Sequence, residues 1–141
     1  MSARHRSSRA ACEGGQALVE FSLAILVFLV MLMGVFDLGR GIYTFNGLAE
    51  GAREIARITS THVGNPVGSS TATTDRIAVQ QGLTPGLGTP VFSCQDLYGV
   101  ASACTTGNYV KVDVSATYSP LSLLGIGGPI TLSSSSSVQI P

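Results

Sequence analysis

Two hydrophobic patterns follow each other along the chain, an unbroken apolar block near the N-terminus and alternating apolar and polar positions near the C-terminus. The block covers residues 17–36, ALVEFSLAILVFLVMLMGVF, and contains a single charged residue, Glu20. A helix of about 20 residues spans the roughly 30 Å hydrocarbon core of a bilayer. The block therefore predicts a transmembrane helix. A buried core helix is the less favoured alternative, because a chain this small has no core to cover such a helix on all sides.

The clearest alternation covers Tyr109 to Tyr118, where every even position is apolar or aromatic. A period of two residues is typical of a half-buried strand. We predict two further strands, a short one at Val91 to Cys94 and a last one at Ile130 to Ile140, whose apolar ends flank five serines. The apolar face of the central strand is expected to pack on the long helix.

The transmembrane helix is expected to continue well beyond the apolar block. No proline interrupts residues 16–58, and a helix of that length would measure about 65 Å. The predicted fold class is α+β: a long N-terminal transmembrane helix that extends outward, with a small antiparallel β-sheet packed on its outer half. The chain would then comprise a basic leader at 1–15, the long helix at 16–58 and an extracytoplasmic α+β portion at 59–141.

Polar, turn-rich segments connect these elements. Residues 59–73 are rich in Gly, Ser, Thr and Pro and predict a loop. Residues 75–81 have helical spacing, with Thr73 or Thr74 as a predicted cap and Gly82 as the stop. Residues 120–129 are read as an apolar Gly/Leu loop before the last strand.

Charge is unevenly distributed along a chain whose formal net charge is zero. The first fifteen residues carry Arg4, Arg6 and Arg9 against Glu13 alone, and the remainder carries five basic and seven acidic residues. Basic residues beside a transmembrane helix favour the cytoplasmic side, so the N-terminus is predicted to lie in the cytoplasm and the C-terminus outside. No basic patch remains that would indicate a nucleic-acid partner.

The sequence does not favour a cleaved secretory signal peptide or a lipoprotein signal. The apolar run is longer than the roughly 7–15 residues of a secretory h-region, and no A-x-A site follows Phe36. A lipoprotein signal would place its cysteine after an apolar stretch, whereas Cys12 precedes the apolar block.

The position of Glu20 requires an explanation, because a carboxylate a few residues inside an apolar helix is unfavourable. An intramembrane acid indicates a function by default; the alternative is a boundary residue whose side chain reaches water. The run EGGQALVEF, a basic leader before it and an apolar helix after it resemble the processing site of type IV pilins and pseudopilins. The resemblance implies cleavage after Gly15 by a membrane-embedded prepilin peptidase, with Gln16 as the first residue of the mature chain. Cleavage after Gly14 would depart from that pattern by one position.

A longer resemblance covers roughly residues 14–58. GQALVEF, the apolar helix, GVFDLGR at 34–40 and NGLAEGAREIAR at 46–57 are similar to the TadE-like family. These are minor pseudopilins of the tight-adherence (Flp-type) pilus system, and the resemblance implies a structural, non-enzymatic subunit with a pilin-like fold. The implied partners are the prepilin peptidase, other pilin or pseudopilin subunits, the assembly platform and membrane lipid. The implied location is a single pass through the cytoplasmic (inner) membrane, with association with the pilus or surface as a further expectation.

Within this resemblance, two pairs of residues are expected to serve assembly. Glu20, beside Phe21, would pair with the new α-amino group of a neighbouring subunit at the same membrane depth. Gly47 and Gly51 form a small-xxx-small pair that lets helices approach closely. The alternative interpretation is that these glycines mark a frayed and kinked helix.

Two cysteines lie in the predicted extracytoplasmic portion, where disulfides persist. Cys94 and Cys104 flank QDLYGVASA and are interpreted as one disulfide that closes a hairpin-like loop. A metal site is the alternative, but two cysteines with the distant His62 lack ligand spacing.

No catalytic, metal-binding or phosphate-binding motif stands out, so neither an enzyme nor a cofactor is predicted. We carry forward two main functional hypotheses, a pilus-assembly pseudopilin and a signal-anchored envelope protein with an extracytoplasmic binding domain. A minor pseudopilin of type II secretion is a third, which shares the cleavage but lacks the motif between Asp37 and Arg57. Whether the chain is cleaved after Gly15 distinguishes the pseudopilin hypothesis from the envelope-protein hypothesis.

Overall fold

The computed structural model describes residues 7–120 and 128–141, with side chains from residue 15 onward within those ranges. The predictions for the leader concern charges and a cysteine side chain, Cys12, that lie outside the described part of the structure, as does most of the apolar loop at 120–129. The predicted α+β class is confirmed. In chain order the elements are α1 (Ser7–Thr61), α2 (Thr71–Leu83), β1 (Val91–Gln95), β2 (Tyr109–Tyr118) and β3 (Ile130–Gln139).

The chain divides into two compact units, Met1–Leu38 and Gly39–Pro141. The described part of the first unit is helical throughout, and its apolar side chains are exposed, from 37% at Met33 to 69% at Leu18. The hydroxyl of Ser22 donates to the carbonyl oxygen of Leu18 at 2.7 Å, so this polar group has its hydrogen-bond partner within the helix. Among the described residues nothing buries its apolar window, and the helix has the length and composition to cross a membrane.

Helix α1 is longer than predicted at both ends. It begins at Ser7 instead of Gln16, because residues 7–15 contain good helix formers and no proline, and extending a helix costs less than nucleating one. It ends at Thr61 instead of Ile58. In its last turn Thr59, Ser60 and Thr61 donate their hydroxyl hydrogens to carbonyl oxygens of the same helix, at 2.7–3.0 Å.

The second unit has its core between the C-terminal part of α1 and the sheet. Alternate side chains of β2 are almost completely buried, which confirms the predicted inward face. They meet one apolar stripe of α1, whose spacing of three and four residues is that of a helix face. The buried members of this core are Leu48, Ala52, Ile55 and Ala56 of α1, Val110, Val112, Val114 and Ala116 of β2, and Leu87, Cys94 and Ile140.

The sheet is antiparallel with strand order β1-β2-β3. Its central strand has the predicted bounds, Tyr109–Tyr118; β1 extends one residue beyond prediction to Gln95, and β3 ends one residue earlier at Gln139. The serines of β3 alternate between half-buried and exposed positions, so the strand crosses its small-residue middle without losing register.

Helix α2 differs from the prediction for residues 75–81. It covers Thr71–Leu83, with Ser70 as its N-cap and Thr84 as its C-cap, so the predicted loop at 59–73 is much shorter. The prediction was wrong because the helix start is set by Ser70, whose Oγ accepts a hydrogen bond from the backbone N–H of Thr73 at 3.3 Å. Gly82 lies inside the helix and does not stop it.

Candidate processing and assembly segment

The predicted processing site lies on the exposed surface of α1. Gly15 is helical and open, since a Cβ added there would meet no atom within 4 Å. Gln16 and Glu20 are four residues apart, so their side chains lie on the same face of the helix, and both are exposed. Phe21 is 65% exposed on the adjoining face. Within the described part of the chain, Glu20 forms no ion pair.

The two glycines predicted to pack helices face α2 of the same chain. A Cβ at Gly47 would lie 2.9 Å from Oγ1 of Thr84, and one at Gly51 would lie 3.6 Å from Oε1 of Gln80. Thr84 and Gln80 are both buried. The structure therefore places the small-residue face of α1 against a helix inside the subunit, and packing of the same face between subunits stays a prediction.

A carboxylate links the two helices beside this face. Glu54 accepts hydrogen bonds from Nε and Nη2 of Arg57, at 3.0 and 2.8 Å, and lies 3.1 Å from Nη2 of Arg76 on α2. The hydrogen bonds from Arg57, more than the charge of Arg76, lower the pKa of Glu54, while partial burial opposes the shift. Charged residues spaced three or four apart on a helix, as at Glu50, Arg53, Glu54 and Arg57, ordinarily form a solvated face. Arg53 and Glu50 fit it, at 3.9 Å and largely exposed, whereas the Glu54 side chain is only 22% exposed.

Buried hydroxyl groups form a further contact between the helices that sequence reasoning missed. Oγ1 of Thr59 on α1 lies 3.3 Å from Oγ1 of Thr73 on α2, and Thr73 lies 2.8 Å from the hydroxyl of Ser70. Thr59 and Thr73 have no exposed surface. The only signal in the sequence is a serine three residues before a threonine, an N-cap pattern that also occurs in many loops.

Cys94 and Cys104 form a disulfide, with their Cα atoms 5.2 Å apart. Oδ1 of Asp96 accepts hydrogen bonds from the backbone N–H groups of Tyr98 and Val100, at 2.8 and 2.9 Å, and so shapes the loop inside the bridge. Leu97, Tyr98 and Val100 are exposed on it, at 61–86%. The bridge removes both thiols as metal ligands, and no three His, Cys, Asp or Glu side chains of the described residues come together as a metal site.

Comparison with known proteins identifies one part of the chain. The family model described as TadE-like protein matches residues 15–57, from the glycine of the predicted processing site to the end of the charged run on α1. No curated protein and no solved structure matches the chain. The TadE-like resemblance read from the sequence is thus confirmed, and residues 15–57 are a TadE-like segment.

Proposed function

We propose that this chain is a minor pseudopilin-like structural subunit for assembly of a tight-adherence (Flp-type) pilus. The observation that carries the proposal is the TadE-like match, which begins at Gly15 and contains both Glu20 and the exposed apolar helix. A structural role agrees with a site made of helix surface, glycines and ion pairs. The type II secretion alternative is less well supported, because the match continues through the motif that ends at Arg57.

The proposed topology is a single pass with the N-terminus in the cytoplasm and the C-terminus outside. The three arginines of residues 1–15 support the cytoplasmic side by the positive-inside rule. The disulfide between Cys94 and Cys104 supports the outer side, because such bonds persist in oxidising compartments.

The proposed maturation step is hydrolysis of the peptide bond between Gly15 and Gln16. Water is added across the bond, so the leader leaves with a new carboxylate and Gln16 gains an α-amino group. The backbone at this bond is helical, so a peptidase must first unwind it to reach the extended form that protease clefts accept. Gly14 and Gly15 lower the cost of that unwinding, since each glycine weakens a helix by about 1 kcal/mol relative to alanine.

The proposed role of Glu20 is to pair with the new amino group of a neighbouring subunit. The carboxylate is exposed and forms no ion pair within the described residues, so it is available to a second chain. In lipid, one uncompensated charge of such a pair costs on the order of a few kcal/mol. The pair would therefore set the stagger between adjacent helices, with Phe21 packing beside it.

Substitution of Glu20 tests the assembly role. We expect Glu20→Ala to insert at least as well as the parent, since it removes a charge from the apolar segment, and to be processed, since the cut lies five residues away. Surface pili should be lost. Glu20→Asp, which keeps the charge on a shorter side chain, is the matched control and should retain more pili than the alanine variant.

Insertion, processing and piliation must be measured separately in the producing strain. Normal piliation with Glu20→Ala would contradict the assembly role. Glu20 would then be a boundary residue at the membrane interface without a role in assembly. Failure of both variants to insert would show a folding defect, which also contradicts the assignment.

The alternative function is a signal-anchored envelope protein with an extracytoplasmic binding domain. The observation that favours it is the disulfide-closed loop, which presents Leu97 and Tyr98 at 73% and 86% exposure. An envelope anchor would keep residues 1–15, whereas a pseudopilin would lose them, so the mature N-terminus decides between the two.

A further inference from the structure

The proposed cleavage after Gly15 gives Gln16 a chemistry that it lacks in the uncut chain. Before cleavage its nitrogen belongs to the peptide bond with Gly15, where resonance with the carbonyl group makes it unreactive. Hydrolysis turns the same nitrogen into an α-amine. Free α-amines titrate close to neutral pH, so part of the population is unprotonated and nucleophilic. Gln16 would then carry both a nucleophile and, in its side-chain amide, an electrophile.

These two groups can react with each other. The α-nitrogen attacks Cδ of the side-chain amide, the new N–Cδ bond closes a five-membered lactam, and the bond from Cδ to Nε2 breaks. One hydrogen of the amine passes to Nε2, which leaves as ammonia, so the step needs no oxidant and no co-reactant. Because both groups belong to one residue, the reaction is intramolecular and therefore faster than that of separate molecules. The product is pyroglutamate, which carries no charge.

The structure leaves Gln16 free to close this ring. Its side chain is exposed and takes part in no hydrogen bond among the described residues. Once residues 1–15 are removed, the nitrogen of residue 16 is the first of the helix and has no acceptor within it. The ring restricts φ in the way that the proline ring does, and proline is well tolerated in the first turn of a helix. Cyclisation is therefore compatible with a helix that begins at residue 16.

Cyclisation would remove the positive charge that the proposed assembly contact needs. Glu20 is exposed and forms no ion pair among the described residues, and the proposed contact joins it to the α-ammonium group of a neighbouring subunit. A carboxylate beside an amine favours the protonated form, which is not nucleophilic. Pairing with Glu20 and cyclisation of Gln16 therefore exclude each other.

We propose that Gln16 cyclises to pyroglutamate in subunits whose α-amine is not paired with Glu20 of a neighbour. Unassembled subunits are thereby modified and lose the ability to form that ion pair. This modification rests on the cleavage after Gly15 proposed above. It also depends on the exact bond cut, because a chain that began at Gly15 would have no side-chain amide on its first residue.

Counting amine labels distinguishes the two forms. Lys111 is the only lysine of the sequence, so a mature chain with a free α-amine takes up two amine labels and a cyclised chain takes up one. The full chain would be expressed in the producing strain, and membranes would be extracted directly into denaturant with the labelling reagent before the intact mass is measured. The variants are Glu20→Ala, which removes the proposed partner of the amine, and Gln16→Asn. Asparagine keeps the amide, but its ring would be one atom smaller and strongly strained.

We expect the parent to give two mature forms, one with two labels and one with a single label and a mass lower by one ammonia. Glu20→Ala should shift this mixture severalfold toward the cyclised form, because no neighbour holds the amine protonated. Gln16→Asn should be processed like the parent and keep both labels.

Two results would overturn the modification while leaving the proposed processing intact. They are two labels on every mature chain of the parent and of Glu20→Ala, or equal shares of the cyclised form in these two proteins. A mature chain heavier by one glycine would also overturn the modification, since Gly15 would then come first. A full-length mass would show that the proposed processing is wrong, and the modification would fail with it.

Discussion

Substitution of Gly47 by alanine tests the close approach of α1 and α2. The added methyl group would lie 2.9 Å from Oγ1 and 3.2 Å from Cγ2 of Thr84. Thr84 is 3% exposed, and its backbone N–H caps α2 by donating to the carbonyl oxygen of Gln80 at 2.9 Å. Both γ atoms of Thr84 face the added methyl group, so rotation about χ1 would still leave one of them against it, and Thr84 or the helices must shift.

The size of the effect follows from two opposing terms. Overpacking of a buried contact costs about 1–3 kcal/mol, whereas replacing a helical glycine by alanine gains about 1 kcal/mol. Gly47→Ala should therefore be neutral to about 2 kcal/mol destabilising. Gly39→Ala, whose Cβ would meet no atom within 4 Å, should show only the helix gain. We expect the two variants to differ by about 1–3 kcal/mol, which is a difference in Tm of about 4 °C or more for a unit of this size.

The assay is thermal unfolding of the full-length protein in detergent micelles, followed by the near-ultraviolet circular dichroism of its four tyrosines. All four tyrosines lie in the second unit, so their signal reports its packing. Gly51→Ala is a second control on the same helix face, because its Cβ would lie 3.6 Å from the nearest atom of Gln80, an ordinary contact. A Gly47→Ala variant at least as stable as Gly39→Ala would refute the predicted clash.

Two further predictions concern the second unit, Gly39–Pro141. The hydrogen bonds of Arg57 lower the pKa of Glu54. Their contribution to stability is therefore complete above the ordinary glutamate pKa of about 4.3 and disappears as the pH falls through the lower pKa of the folded state. Glu54→Gln should therefore reduce Tm at pH 7 by an amount equivalent to about 0.5–1 kcal/mol. The difference in Tm from the parent should shrink toward pH 3. An equal difference at both pH values would contradict the stabilising role of the Glu54 carboxylate. Cys94 and Cys104 should resist alkylation until the protein is reduced, and reduction should lower stability by about 2–3 kcal/mol. Alkylation of both in the unreduced protein would contradict the disulfide.

The elements that the sequence predicted well are those whose pattern is local. The alternation from Tyr109 to Tyr118 determines both the bounds of β2 and its buried face, because a strand with one covered side needs a period of two. The apolar block likewise predicts the long, exposed apolar helix from composition and length alone. The Cys94–Cys104 pairing was predicted because few alternatives remain for two cysteines that flank a turn in one small unit.

The features that were missed depend on contacts between distant residues. The hydroxyl contact between Thr59 and Thr73, fourteen residues apart, joins the end of α1 to the start of α2. No local pattern shows that these two threonines meet. The partners of the glycine face were also missed, because a small-xxx-small spacing indicates a close approach without identifying what approaches.

The most direct test of the pseudopilin proposal is the intact mass of the protein extracted from the membranes of the producing cell, with its N-terminus sequenced. We predict a mass that lacks residues 1–15 and a first residue of Gln16, with Cys12 gone and the Cys94–Cys104 bond retained. A full-length mass, with an N-terminus at Met1 or Ser2 in cells that contain the matching prepilin peptidase, would contradict the proposal.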